Sequence, residues 1–138
     1  MSAMSDYLEL NLIKHLFRTG SFTKPTVMAV ALFTAAPSDS GGGTEVTGGS
    51  YARVDRPPLD ANWDAVGAGG TDGHTSNTAD IVFPSPTANW GVITHVGIFD
   101  ATTAGNLLFH GALTTPKTVN SGDPAPKFVA GDLDVTLA

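Results

Sequence analysis

A chain of 138 residues is the size of one ordinary domain, long enough to bury a core and too short for two. Thirteen acidic against seven basic residues leave a net charge of -6, which repels a phosphate backbone and sets nucleic-acid binding aside. The lack of cysteine excludes disulfides, thiolate nucleophiles and sulfur-ligated zinc, while 16 glycines, 9 prolines and only 14% charged residues describe short strands, many turns and a surface of the kind partners cover.

The first residues, MSAMSDYLELN, lack the basic and apolar regions of a secretory signal. The longest apolar run, Val27 to Phe33, is far short of a membrane span, so a soluble protein made in the cytoplasm and free of membrane is expected. Ser5 is a candidate N-cap, and Leu8, Leu12, Ile13, Leu16 and Phe17 follow at helical spacing, predicting one amphipathic helix over residues 6 to 18. Asp6 and Glu9 near its start, and Lys14, His15 and Arg18 near its end with Gly20 following, are in the order the helix dipole favours.

From Thr26, the stretch TVMAVALFT has apolar side chains on both faces and predicts a strand covered on both sides, the helix supplying one cover. Residues 35 to 50, AAPSDSGGGTEVTGGS, read as a long loop, and YARV as a strand stopped by Pro57 and Pro58. Residues 59 to 78, with GAGGTDGHTSN inside them, are again loop-like, before ADIVF resumes a strand that Pro84 and Pro86 end. Loops this long in a small domain are functional or touch neighbours in an assembly.

GVITHVGIFDATTAGNLLFHGAL, residues 91 to 113, predicts a hairpin. Pairing Phe99 with Asn106 across a six-residue turn puts Val96 against Phe109, Ile98 against Leu107 and Val92 against Leu113 on a core face. The other face then carries Ile93, His95, Gly97 and Phe99 opposite Ala112, His110, Leu108 and Asn106, which makes the two histidines direct neighbours on a surface neither wholly dry nor wholly wet. Two short strands near Lys127 to Ala130 and Leu133 to Leu137 are separated by the turn signal Gly131-Asp132. These elements amount to a mainly β, antiparallel sandwich-like single domain over residues 1 to 138, with the helix at about 6 to 18 and the β part from about 26 onwards.

Two imidazoles are too few to hold a metal, and Asp100 lies at the far end of the turn. His95 and His110 are instead assigned to structure or interface, and as direct neighbours they would repel when both are charged, making this face sensitive to pH. The glycine-rich segments lack the phosphate-loop pattern, and the spacing of Asp60, Asp64, Asp72 and Asp80 matches no calcium loop. No G-x-S-x-G elbow is present and His74 has no identifiable partner, so neither catalytic residues nor a cofactor are expected. Trp63 and Trp90 fit either a sugar platform or the rim of a core or interface.

VALFTAAPSDSGGGTEVTGGSYARV, WGVITHVGIFDATTAGNLLFHGAL, PKTVNSGD and KFVAGDLDVTLA together make the chain resemble a group of small bacteriophage virion proteins usually labelled tail fibre proteins, the WG-x-ITHVGIFDA and LLFHGAL blocks being the most specific. The resemblance implies a non-enzymatic structural role on the exterior of the virion, among other phage proteins of the tail or baseplate. A cement or decoration protein on the major capsid protein lattice, and a carbohydrate-binding receptor module, are the alternatives. Repetition on a symmetric particle implies homo-oligomers. The expected contacts are Ile93, His95, Phe99, Leu108 and His110 on the hairpin, Trp63 and Trp90, the apolar helix edge and the two long loops; for Ile93 and Leu108 the competing assignment is packing within the chain.

Overall fold

The computed structural model describes residues 2–66 and 73–137. In chain order the elements are β1 (Ala3–Met4), α1 (Asp6–Phe17), β2 (Ala29–Ala35), β3 (Thr44–Glu45), β4 (Val54–Asp55), β5 (Gly73–Ser76), β6 (Ile81–Val82), β7 (Gly91–Phe99), β8 (Leu107–Val119), β9 (Lys127–Phe128) and β10 (Asp134–Leu137). The fold is mainly β with antiparallel sheets and one helix near the N-terminus, as the residue pattern predicts.

The main sheet runs β1-β8-β7-β2-β3, with β4 also pairing with β2. Two small sheets, β5 with β10 and β6 with β9, form the opposing layer. Val30, Leu32, Val96, Ile98 and Phe109 from the main sheet join Ile81, Phe83, Leu133 and Val135 in one buried cluster, the interior of the sandwich. Alternation along β2 sends Ala29, Ala31 and Phe33 to the opposite side, and these too are buried, so β2 is covered on both faces.

The helix forms where expected but does not supply the second cover. Ser5 caps it, its Oγ accepting from the Leu8 amide and donating to the Leu107 carbonyl, while the Ser5 amide donates to Leu108 O at 2.9 Å. Because β1 pairs with β8 at Ala3–His110 and Met4–Phe109, and only Ser5 separates strand from helix, α1 leaves from the sheet edge instead of crossing its face. Leu8 enters the core and Leu12 packs partly against it; Leu10, Ile13, Leu16 and Phe17 are exposed.

Two more expectations change. β5 lies in a stretch read as loop, and the last two strands do not pair with each other. The reason is Asn77, fully buried, whose Nδ2 donates to Ala79 O and Val129 O and whose Oδ1 accepts from the Leu133 amide. The turn around Gly131 wraps this side chain, and the flanking strands diverge to β6 and β5.

Candidate functional site

The hairpin's second face is built on a register that differs from the simple one. The turn closes as an Asp100·Asn106 pair: the Asp100 amide donates to Asn106 O at 3.1 Å, and Asp100 Oδ1 and Oδ2 accept from the Asn106 backbone and side-chain nitrogens at 2.7 and 2.8 Å. A bulge follows, and the partners become Phe99–Leu107, Ile98–Phe109, Gly97–His110, Val96–Gly111 and His95–Ala112. The histidines are therefore diagonal, not opposite, and each has another partner. His110 Nε2 lies 2.8 Å from Asp39 Oδ1, and His95 Nδ1 lies 2.8 Å from Thr94 Oγ1. This removes the basis for the expected repulsion between them.

The same bulge exchanges two leucines. Leu108 enters the core cluster at 2% exposure, while Leu107 turns to the second face, where its Cδ1 would lie 3.1 Å from a Cβ added to Gly97. A second irregularity sets Thr94 alone against Leu113 to Pro116, between the pairs Ile93–Lys117 and His95–Ala112. Pro116 has no amide to give the ladder, which suits a bulged position. Beyond it the faces switch: Ile93 is 2% exposed in the core and Val92 is 47% exposed. Ile93 and Leu108, expected on the second face, thus pack within the chain.

Part of what remains of that face is covered by the chain itself, while His95, Phe99 and His110 stay half-buried and Ala112 is exposed. Phe33 and Phe99 stack with centroids 6.2 Å apart, and both meet Leu107 above Gly97. Arg53 closes this cluster, with its guanidinium over the Phe99 ring. Arg53 Nε and Nη2 donate to Glu45 Oε1 and Oε2 at 2.8 Å, and Nη1 donates to Ala101 O and Ala104 O at 3.0 and 2.7 Å. Tyr51 extends the network, its hydroxyl accepting from the Leu32 amide and donating to Glu45 Oε1, both at 2.9 Å. Burial pushes the Tyr51 phenol above its ordinary range, and the Glu45 carboxylate adds to the shift while the Leu32 amide opposes it. Sequence reading missed this group; its signal was two opposite charges and a tyrosine in a chain poor in charge.

The tryptophans divide. Trp90 is buried, its indole N–H donating to Gly49 O at 2.9 Å and its ring edge-on to Tyr51, so it presents no platform for a sugar. Trp63 donates to Arg56 O and lines an open groove of about 640 Å³ with Met28, Leu59, Val66, Phe109 and Leu137. Leu59, Val66 and Leu137 are exposed along it.

The other candidates resolve into structural pairs. His74 stands on β5 with Nε2 3.0 Å from Asp134 Oδ1, which corrects its reading as partnerless. Asp64 accepts from Ser76 Oγ, Asp80 accepts from Lys127 Nζ and the Ala130 amide, and Asp72 with residues 67–71 of the second glycine-rich segment lies outside the described residues. Among the described residues no three His, Cys, Asp or Glu side chains converge as metal ligands, and no helix is long and apolar enough to cross a membrane.

A sandwich whose polar clusters brace strands and turns, and which leaves apolar side chains outside, has the build of a structural protein that makes contacts. The family model described as podophage GP4 fiber I protein gp80 matches residues 3–136, and the chain belongs to that family of bacteriophage fibre proteins. No curated protein matches the chain.

Proposed function

We propose that this chain is a non-enzymatic subunit of a phage tail, at the fibre or baseplate, held in the particle by contacts with like copies and with other virion proteins. The observation that carries the reading is apolar surface left uncovered in two separate places, the outer side of α1 and the rim of the Trp63 groove. Single exposed leucines are ordinary on a surface, whereas clusters of them mark a contact. The net charge of -6 keeps the free subunit soluble until those surfaces are covered.

The test is to purify virions, detect the chain in them, and locate and count its copies by electron microscopy with a specific label. Roughly six or twelve copies at the tail, numbers a symmetric tail allows, is the expected result. Labelling spread over the head lattice would transfer the protein to capsid decoration, and its absence from virions would overturn the structural reading.

A further inference from the structure

The connection from α1 to β2 is bonded in two opposite directions. Just beyond Phe17 the chain turns back on the helix: the Arg18 amide donates to Lys14 O at 3.0 Å, the Phe22 amide donates to His15 Nδ1 at 3.1 Å, and the Phe22 ring meets Tyr7 edge-on with centroids 6.5 Å apart. From Lys24 onward the bonds run to the β domain. Lys24 Nζ donates to Pro58 O at 3.2 Å, the Met28 amide donates to Asp55 Oδ1 at 3.1 Å, and Met28 O accepts from the Arg56 amide. Among the described residues no hydrogen bond crosses between these halves, and Thr23 between them makes none. Pro25 holds Lys24 out of the helical region, so the helix cannot continue through the joint. Residues 2–22 thus form an arm that is clasped to itself, hinged on the body at Thr23.

The arm is seated on the margin of the main sheet. Ala3 and Met4 pair with His110 and Phe109, the Ser5 and Asp6 amides donate to Leu108 O and Asp39 O, Ser2 Oγ accepts from the Thr136 amide, and Leu8 is buried. Because β1 is the outermost strand on this side, the arm can leave its seat without unpairing β8, β7 or β2 from one another. We propose that the seat on β8 takes the arm of a second copy, so that neighbouring subunits exchange residues 2–22 about a two-fold axis and each completes the other's sheet edge. No new complementarity is needed, since the same residues make the same bonds in either arrangement and only the path through Thr23 changes. In dilute solution a chain's own arm wins, because a short tether holds it at an effective concentration in the millimolar range. Where copies stand side by side in a particle the two arms compete on equal terms, and exchange ties the neighbours together.

The inference rests on the reading of the chain as a subunit that works through contacts, and its test needs no virion. The chain has no native cysteine, and Ala3 and Ala112 are both exposed. Ala112 is two positions along β8 from His110, the partner of Ala3, so cysteines at 3 and 112 are diagonal neighbours about 7–8 Å apart. A chain with both substitutions should be crosslinked within itself by a short bismaleimide, which verifies the seat. Equal amounts of Ala3→Cys and Ala112→Cys chains, one of them tagged, are then mixed at about 1 mM, warmed to just below the unfolding transition and cooled. The crosslinked heterodimer should exceed roughly fivefold that from Ala3→Cys with Thr118→Cys, a position about 20 Å further along the strand, and the excess should vanish at about 10 µM.

Leu8→Asp added to the Ala3→Cys chain should abolish the excess, because that arm can no longer be seated on any copy; thermal unfolding checks that the body stays folded. No excess at the higher concentration, or an excess indifferent to Leu8→Asp, would overturn arm exchange. Either result leaves the structural reading to be decided by labelling in virions.

Discussion

The guanidinium carbon of Arg53 stands 3.6 Å from the centroid of the Phe99 ring. Phe99 ends β7, so this contact joins the close of the hairpin to the segment entering β4. The Arg53 side chain is 8% exposed, and its charge is met by both oxygens of Glu45 and by two carbonyls of the β7–β8 turn. The second face of the sheet is closed by this arginine and not by the helix.

Removing one member of a nearly buried ion pair leaves the other without its partner. Arg53→Ala should lower stability by about 3 kcal/mol, read as a fall in the urea midpoint. Arg53→Lys should recover only a minor part of the loss, because an ammonium cannot reach both Glu45 oxygens and the turn carbonyls together. A change below about 0.5 kcal/mol for either variant would place the network among surface pairs of little worth.

Tyr51 gives the protein an alkaline limit. Its phenol titrates higher in the folded chain than in the unfolded one, where the value is about 10, chiefly because burial disfavours the phenolate. Its contribution is therefore complete below about pH 10 and is lost as the pH rises from there toward the folded value. Tyr51→Phe should cost about 1–2 kcal/mol at neutral pH, by leaving the Leu32 amide without its acceptor and Glu45 Oε1 with one donor fewer, and should flatten the loss of stability between about pH 10 and pH 12. Equal slopes for the two proteins in that window would show that Tyr51 is not the titrating group.

Gly97 is needed for space. A Cβ there would come within 2.9 Å of a Phe33 ring carbon and 3.1 Å of Leu107 Cδ1. Gly97→Ala should destabilise by about 1–3 kcal/mol through overpacking, measured by thermal unfolding. If it is neutral or stabilising, the Phe33–Phe99–Leu107 cluster is looser than its geometry indicates.

Ser5 holds the helix to the sheet edge by two bonds made through one hydroxyl. Ser5→Ala should cost about 1–2 kcal/mol and speed hydrogen exchange of the amides at the start of α1. Unchanged protection there would mean that β1 alone anchors the helix.

Much of the architecture is legible in short segments. Ser5 followed by leucines at helical spacing, with charges ordered along the dipole, marks α1 to within a residue of its observed end at Phe17. The apolar stretch at β2 and the alternating residues of β7 and β8 identify themselves in the same way, since each is a local pattern. Pro116 marks the break in the β8 ladder, since it has no amide to donate.

The candidate surface was less legible, because it depends on partners distant in sequence. The bulge that sends Leu108 inward and Leu107 outward is fixed by the Asp100·Asn106 turn on one side and by Ser5 holding the Leu107 and Leu108 carbonyls on the other. Arg53 reaches Ala101 and Ala104 across 48 and 51 residues of the chain. Periodicity assigns a side chain to one of two faces, but one extra residue in a strand reverses that assignment for everything beyond it. The sequence by itself thus determined the helix, the hairpin, the mainly β class and the resemblance to phage fibre proteins. Which side chains close the second face, and which stay outside, was decided only when hydrogen bonds between distant segments set the register.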